Sequence, residues 1–394
     1  MEAVSTHDEL KAEPMRVIKA YKTELDPNNK QATFFGRCCG ASRYVYNWGL
    51  AEWSERYDLG ATPSATELKR YFNNQIKDEL CPWLRALPYA VTEAAFVNLG
   101  LAFKNFFRRV KNGDKEVGYP KFKKRGRTSN SFQVCNLKVE NDQVRITGVG
   151  WVRLKERGYI PTDAKKYGTY ATISEKAGRW FVSVQVEEEI PDPQNGSVLT
   201  VGVDFGLKSL AVCSDGTVYE NPRPLRHAQR RLKILGKELA RRTRGGSNWH
   251  KTKRRLQRQH AKVANIRKHV LHQISHDLIV NKHPAMVVIE NLNVRGMVKN
   301  HHLSQAINDV GFYELRRQIE YKAQWNGVDV IVADRWFPSS KLCRFCGSIN
   351  DGLTLADREW ICDCGAELDR DLNAAMNLAA YGRNRETHGD CLGS

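Results

Sequence analysis

The sequence contains no apolar run that approaches the roughly 18 residues needed for a membrane-spanning helix. It also shows no basic segment followed by an apolar one at Met1, so we expect no secretory signal. No internal repeat is visible, which argues against a repeat architecture. A membrane partner is therefore not expected.

The cysteines are too unevenly spread for an extracellular disulfide scaffold. Four of the ten lie between Cys343 and Cys364, and the others are scattered. This distribution favours a metal site in a reducing cytosol. The cysteines that lie in or beside apolar stretches are predicted to be small core residues: Cys38, Cys39, Cys81, Cys135 and Cys213.

Acidic residues are almost absent between Arg223 and Lys268. This segment holds seventeen Lys or Arg residues and one acid, Glu238, and its excess nearly equals the net charge of +18 of the whole chain. A solvated surface normally mixes both signs, whereas a one-signed strip indicates contact with nucleic-acid phosphates. The candidate contacts in this strip are Arg230, Arg231, Arg241, Arg242, Lys253, Arg254 and Arg255.

Two further stretches interleave basic and aromatic residues. They are RYVYNW (43–48) and GYPKFKKRG (118–126). Such stretches can supply stacking or phosphate contacts, although the aromatic rings of the first can equally be core residues. The candidate contacts are Arg43, Lys121, Lys123 and Lys124.

The chain of 394 residues is long enough for two to four domains. Apolar residues recur at helical spacing from Lys30 to Val110, with breaks at Pro82 and Pro88. Period-two alternation then predicts an antiparallel barrel or sheet up to about residue 190. Beyond a linker, the pattern predicts three short strands, a basic helical hairpin, a buried strand MVVIE, a helix, another strand and a closing helix.

Three carboxylates stand at unusual places in this second part. Asp204 interrupts an apolar strand, Glu290 ends MVVIE, and Asp371 opens the closing helix. Singly, each is more simply explained as a loop or capping residue. Together they follow the element order of a ribonuclease H-like sheet, in which these three elements converge. Asp369 is expected to cap the helix or support the site, and Arg370 to form a surface salt bridge or touch the scissile phosphate.

Three converging carboxylates repel one another unless cations neutralise them. Mg²⁺ or Mn²⁺ prefers such oxygen ligands, and two ions about 3.5–4 Å apart can activate a water and stabilise the leaving oxygen of a phosphodiester. We therefore predict phosphodiester hydrolysis, with Asp204 bridging two ions and with Glu290 and Asp371 each holding one side.

The cysteine cluster has the spacing of a structural zinc site. Cys343 and Cys346 form one arm, and Cys362 and Cys364 form the other after fifteen intervening residues. A fully ligated zinc ion has no open position for chemistry, so its predicted role is to clamp the turn that delivers Asp371.

The chain resembles the TnpB family of transposon-encoded, RNA-guided DNA endonucleases, which are relatives of the type V CRISPR effectors. The matching stretches run in family order and include GASRYVYNWGL (40–50), GVDFGLKSLAV (202–212), IENLNV (289–294), FPSSKLCRFCG (337–347) and DRDLNAAMN (369–377). Two positions depart from the common pattern: Leu368 stands where many members have His, and Cys362-Asp363-Cys364 replaces a C-x-x-C arm.

The resemblance implies a multidomain α+β chain. It has an N-terminal wedge-like β-barrel with an inserted helical recognition domain, then a RuvC-like α/β nuclease domain with an inserted four-cysteine zinc finger. The inferred boundaries are a loose tail (1–14), the first part of the barrel (15–29), the helical domain (30–117), the rest of the barrel (118–190), a linker (191–198), the nuclease domain (199–340) with its basic hairpin (223–283), the zinc finger (341–366), the C-terminal nuclease helix (367–382) and a tail (383–394).

The resemblance also places the family's metal-binding acids on Asp204, Glu290 and Asp371. It implies a guide RNA from the transposon end and a double-stranded DNA target with a short adjacent motif, with sequence read by base pairing. We expect a monomer in the prokaryotic cytosol, associated with the nucleoid. The alternatives are an RNA-guided repressor that does not cut and a transposase that performs strand transfer.

Overall fold

The computed structural model describes residues 14–114, 116–162, 170–190, 193, 195–354 and 356–389, with side chains to residue 385. The predicted tails (1–14 and 383–394) and the predicted linker (191–198) lie partly outside these residues. The described chain forms two compact units, one over Arg16–Glu189 and one from Ile190 onward.

The N-terminal unit contains a seven-stranded sheet in the order β2-β6-β7-β1-β5-β4-β3. The strand pairs β2–β6, β6–β7, β1–β5, β5–β4 and β4–β3 are antiparallel, as the period-two pattern predicts. Its strands are β1 (Met15–Asp26), β2 (Asn130–Cys135), β3 (Lys138–Val139), β4 (Gln143–Ile146), β5 (Gly150–Leu154), β6 (Tyr170–Lys176) and β7 (Arg179–Ile190). In the part of the chain that is described, no pairing joins β2 to β3. Closure into a barrel therefore stays a prediction.

Helices follow the first strand of this unit. They are α1 (Asn29–Asp58), α2 (Ala65–Tyr71), α3 (Lys77–Leu80) and α4 (Tyr89–Lys111). The predicted breaks are confirmed, because a 3₁₀ turn begins at Pro82 and Pro88 precedes α4. Phe35, Phe72 and Phe96 are fully buried in one core shared by the helices and the sheet, as the helical spacing of apolar residues requires.

The C-terminal unit is built on a five-stranded mixed sheet in the order β10-β9-β8-β11-β12. Strands β8, β11 and β12 run parallel, and β9 is antiparallel to both of its neighbours. The strands are β8 (Thr200–Phe205), β9 (Ser209–Cys213), β10 (Val218–Glu220), β11 (Met286–Ile289) and β12 (Asp329–Val332). All five were predicted, in this chain order.

Helices cover both faces of this sheet. They are α5 (Pro224–Ala240), α6 (Ser247–His276), α7 (Val294–Met297), α8 (Ser304–Val310), α9 (Phe312–Asn326) and α10 (Arg370–Gly389). Within β11, Val287 and Ile289 pack in the core shared with α6 and α9, whereas Met286 and Val288 pack with Leu378 of α10. Burial on both faces explains why this strand is continuously apolar.

A small two-stranded hairpin, with Cys362 and Cys364 in its turn, leads toward α10. It consists of β13 (Glu359–Ile361) and β14 (Glu367–Asp369), and β14 leads directly into α10. Its core contains Cys343, Trp360, Cys362 and Leu368. Leu368, which departs from the family pattern, is thus a buried packing residue. Within the described residues, no helix has the length and apolar character needed to cross a membrane.

Candidate functional site

The three predicted carboxylates are brought to one edge of the five-stranded sheet. Strands β8 and β11 are parallel neighbours in which Val203 is paired with Ile289. Asp204 and Glu290 each follow by one residue and therefore lie side by side at the carboxyl ends of the strands. Asp371 reaches the same place from the first turn of α10.

The electrostatics show that these groups interact. Burial, followed by the charges of Glu290 and Asp371, raises the pKa of Asp204 well above its usual range, and a hydrogen bond to Glu290 acts in the same direction. Arg370 partly opposes this shift. Among the described residues, only the four cysteines have ligand atoms that all lie within 4.8 Å of one another, so the carboxylates approach without closing around one point.

Two arginines pair with Asp371. The Arg370 side chain donates to Asp371 Oδ1 at 3.1 Å, and Arg358 lies 3.5 Å from Oδ2. The Arg370 side chain is only 13% exposed, so the expected surface salt bridge is instead a largely buried one. Asp369 accepts a hydrogen bond from the Leu372 amide at 2.8 Å, which confirms its predicted capping role.

Helix α10 is held unusually close to the sheet by two glycines. A Cβ atom at Gly202 would lie 2.0 Å from the Ala375 carbonyl oxygen, and one at Gly382 would lie 2.5 Å from Val288 Cγ2. Only glycine permits these approaches. The position of Asp371 relative to Asp204 therefore depends on backbone contact between β8 and α10.

A buried polar network fixes Glu290 from the other side. Ser339, itself buried, donates to Glu290 Oε1 at 2.8 Å. Asn377 of α10 donates to the carbonyls of Ser339 at 2.8 Å and Leu342 at 2.7 Å. Asn373, one turn earlier, also donates to Leu342. Sequence reasoning missed these roles, although two asparagines at i and i+4 on a helix rich in Ala and Leu were a visible signal.

The four predicted zinc ligands form a compact cluster. The sulfur atoms of Cys343 and Cys364 lie 3.8 Å apart, and those of Cys346 and Cys362 lie 3.5 Å apart. A tetrahedral zinc site with bonds of about 2.3 Å has sulfur–sulfur edges of roughly 3.8 Å. The residues therefore fit a four-thiolate zinc ion.

Each arm of the cysteine cluster turns at a glycine that directly follows its second cysteine. Gly347 and Gly365 have left-handed backbones, with φ of 77° and 85°. Their amides donate to the carbonyls of Cys343 and Cys362, respectively. Ser348 hydrogen bonds lower the pKa of the Cys346 thiol to about 6, whereas hydrogen bonds with the neighbouring cysteines raise that of Cys364 to about 12, so the thiols of the metal-free cluster share protons.

The basic strip forms the predicted hairpin, with α5 and α6 joined at residues 241–246. Its one acid, Glu238, accepts from Arg242 at 2.6 Å, from Thr252 at 3.1 Å and from Arg255 at 3.3 Å, and so ties the two helices together. Arg242 and Arg255 thus have a carboxylate partner. Of the remaining candidates in the strip, Lys253 lies over the Trp249 ring. The others are exposed: Arg230, Arg231, Arg241 and Arg254.

Of the N-terminal candidates, Lys121 and Lys124 are exposed, whereas Arg43 and Lys123 are partly buried. Of the aromatic residues beside Arg43, one is a core residue and another is exposed enough to make contacts at the surface. Tyr46 is buried, while Tyr44 is 43% exposed and packs against Trp83. Cys38, Cys39, Cys81 and Cys213 are buried as predicted, and Cys135 is partly exposed.

Three family models match the chain. The model described as "Probable transposase" matches residues 181–301, that of the "Cas12f1-like, TNB domain" matches residues 312–378, and a "Helix-turn-helix domain" model matches residues 15–61. A solved structure titled "Cryo-EM structure of the Cas12f1-sgRNA-target DNA complex" has a similar fold, with a TM-score of 0.54 at 15% identity over 89% of this chain and 83% of that one.

Relatives match over nearly the whole length. A protein of Streptomyces pristinaespiralis named "Putative RNA-guided DNA endonuclease" is 34% identical, with 95% of this chain and 92% of the relative covered. "Putative RNA-guided DNA endonuclease InsQ" of Escherichia coli (strain K12) is 32% identical, with 93% of each covered. The identity and coverage of these relatives, together with the transposase-family match, show that this chain belongs to the TnpB family.

Proposed function

We propose that this protein is an RNA-guided DNA endonuclease that hydrolyses DNA phosphodiester bonds at Asp204, Glu290 and Asp371. The observation that carries the proposal is the convergence of these carboxylates at one sheet edge, where burial and the charges of Glu290 and Asp371 raise the pKa of Asp204. We infer the guide RNA and the DNA target from the names of the relatives.

The flanks of the site suit a polyanionic strand. A cavity of about 400 Å³ beside Glu290 is lined by Arg295, Arg316 and Arg335 and by the exposed Tyr313. A second cavity of about 610 Å³ includes Arg358, which pairs with Asp371. Cations on both sides of the acids can hold the phosphates that flank a scissile bond, and an exposed ring can stack on a base.

The donor set of the acidic site fits hard divalent cations, because it consists of carboxylate oxygens. When bound, Mg²⁺ or Mn²⁺ would supply charge stabilisation and an activated water. The chain's own contribution is to position its ligands. Ser339 orients Glu290, β8 places Asp204, and Arg358 with Arg370 balances the charge of Asp371.

The wider architecture is proposed on the same basis. The seven-stranded sheet would be the wedge barrel, helices α1–α4 the recognition domain, and the five-stranded sheet a RuvC-like nuclease interrupted by the cysteine cluster. The predicted boundaries at 15–29, 30–117, 118–190, 199–340, 341–366 and 367–382 are retained in this proposal. The exposed cations of the basic strip would contact the RNA or DNA backbone.

The test is plasmid cleavage by the full chain purified with RNA transcribed from its native flank. We expect Mg²⁺-dependent cutting of a matched target and its loss by at least about a hundredfold in Asp204→Ala, because metal-ion catalysis supplies several kcal/mol. Asp329→Ala is the matched control, since it removes an exposed acid from the same sheet. Equal cutting by Asp204→Ala and wild type would refute the assignment of the site.

Two other results would favour the alternatives. Target silencing by RNA-loaded wild-type protein without any cut, and undiminished in Asp204→Ala, would indicate a guided repressor. Joining of transposon ends without RNA would indicate a transposase.

A further inference from the structure

A polar cavity of about 230 Å³ lies within the N-terminal unit, and none of the three carboxylates discussed above lines it. Its walls come from α1, α4, β2, β6 and the loop that precedes β2. None of the residues that line it is acidic. It contains two cations, Arg43 and Lys123, and hydroxyl groups that include those of Ser42, Ser129 and Ser131.

The backbone and the side chain of Lys123 are both fixed by neighbouring residues. Asn47 accepts from the Lys123 amide at 2.7 Å and donates to the Lys123 carbonyl at 2.9 Å. The Lys123 ammonium lies 3.7 Å from the centroid of the buried Tyr46 ring. In the described structure no carboxylate pairs with it, although partly buried charges are normally paired. Burial and the nearby Arg43 accordingly lower the pKa of Lys123.

The hydrogen-bond partners of Arg43 do not neutralise the positive charge of the cavity. Arg43 donates to Asn130 Oδ1 at 2.8 Å, and the Asn130 amide in turn donates to Glu175 at 2.8 Å, so an amide separates the arginine from the nearest acid of this network. The buried Gln133 Oε1, in the cavity wall, has no hydrogen-bond partner among the described residues. This oxygen can only accept hydrogen bonds and so does not contribute to binding an anion.

We propose that this cavity is a binding pocket for one phosphate group of a nucleic-acid backbone. Two fixed cations and several hydroxyl donors, in a lining that contains no acid and with Glu175 reached only through the Asn130 amide, form the chemistry that recognises a phosphate. The nucleic-acid identity of the ligand rests on the proposed function, whereas phosphate as the ligand class rests on the pocket alone. Guide RNA and target DNA offer the same group, and the experiment distinguishes them.

The first readout is thermal unfolding of the full chain with inorganic phosphate at constant ionic strength. At about fivefold excess over Kd we expect a rise in Tm of roughly 2–4 °C for wild type. Lys123→Met should lose this rise and still fold, because methionine keeps the aliphatic contact with Tyr46 and removes an unpaired charge. Lys104→Met, an exposed change of equal charge on α4 and outside the pocket lining, should respond as wild type does.

The second readout is binding of the native-flank RNA and of target duplex DNA in EDTA. Lys123→Met should weaken binding of one of them about tenfold to a hundredfold and reduce its salt slope by about one, and the affected partner is the ligand. An equal phosphate response in wild type and Lys123→Met would overturn the pocket. A specific phosphate response with both nucleic acids unaffected would overturn the nucleic-acid assignment. Neither readout involves cleavage, so failure of the nuclease proposal is recognised separately.

Discussion

Replacing Gly202 by alanine should disable the proposed nuclease site without changing any of its acids. The added Cβ would lie 2.0 Å from the Ala375 carbonyl oxygen and 2.5 Å from the Ala379 amide nitrogen, where real contacts exceed 3.0 Å. Helix α10 must therefore move away from β8 by about 1 Å. Asp371 lies one turn before Ala375 on this helix and has to move with it.

The size of the effect follows from packing and from catalytic geometry. Overpacking costs about 1–3 kcal/mol, which corresponds to a Tm decrease of roughly 2–10 °C for a unit of this size. A misplacement of about 1 Å costs on the order of a hundredfold in rate. We therefore expect single-turnover target cleavage to fall about a hundredfold at a temperature where Gly202→Ala remains folded.

Gly236→Ala is the matched control for this variant. Gly236 lies inside α5 with nothing within 4 Å of its added Cβ, so alanine should leave cleavage unchanged and stabilise the helix by up to about 1 kcal/mol. Both cleavage rate and Tm are measured on each variant. Wild-type cleavage and Tm in Gly202→Ala would show that α10 does not depend on this contact.

Three further predictions concern side chains of the C-terminal unit. Ser339→Ala removes the hydrogen bond to Glu290 and should slow cleavage about tenfold to a hundredfold in a single-turnover assay. Cys343→Ser, or a chelator, should lower both Tm and cleavage, because a structural zinc ion contributes folding free energy. Lys322→Met should change the pH dependence of stability in denaturant unfolding, since burial lowers the pKa of Lys322 from 10.5 to about 8. At pH 7 the relief of desolvation is offset by the loss of the hydrogen bonds that the ammonium donates to the His272 carbonyl at 2.9 Å and to Ser275 Oγ at 2.8 Å. Wild-type stability should therefore rise between about pH 8 and 10.5 and that of Lys322→Met should not.

Each of these has its own control. Ser340→Ala removes the neighbouring hydroxyl and should cleave at the wild-type rate. An equal loss of cleavage rate in both serine variants would show that Ser339 does not position Glu290. Zinc re-addition should restore Tm after chelation, and a chelator-treated protein with unchanged Tm would contradict the structural zinc site. Parallel stability profiles of wild type and Lys322→Met between pH 8 and 10.5 would show that Lys322 is not desolvated.

The parts of the fold that repeat a period could be predicted from the sequence. The alternation of apolar and polar residues in SFQVCN identifies β2, and the apolar run in MVVIE identifies β11. Pro82 and Pro88 mark interruptions between helices that the structure shows. The proximity of Asp204 and Glu290 also follows from element order, because parallel neighbours end at the same edge, and Asp371 joins them from the first turn of α10. Barrel closure does not follow, since it depends on pairing between distant edge strands.

Side-chain networks were harder to foresee because they depend on distances in space. Nothing in the pattern places Ser339 against Glu290, and it is β11 and α10 together that determine where the loop after β12 lies. The burial of Arg370 follows in the same way from the path of β14 into α10. A cavity such as the one around Lys123 requires four separate elements and cannot be recognised in a loop sequence alone.

The most direct test of the central claim is to change the guide. The protein is purified with RNA whose guide segment has been replaced, and cleavage is mapped on a plasmid that carries both the old and the new target beside the same adjacent motif. The account predicts that the Mg²⁺-dependent cut moves to the new target and disappears in Asp204→Ala. A cut that stays at the old site, or that occurs without matching RNA, would contradict it.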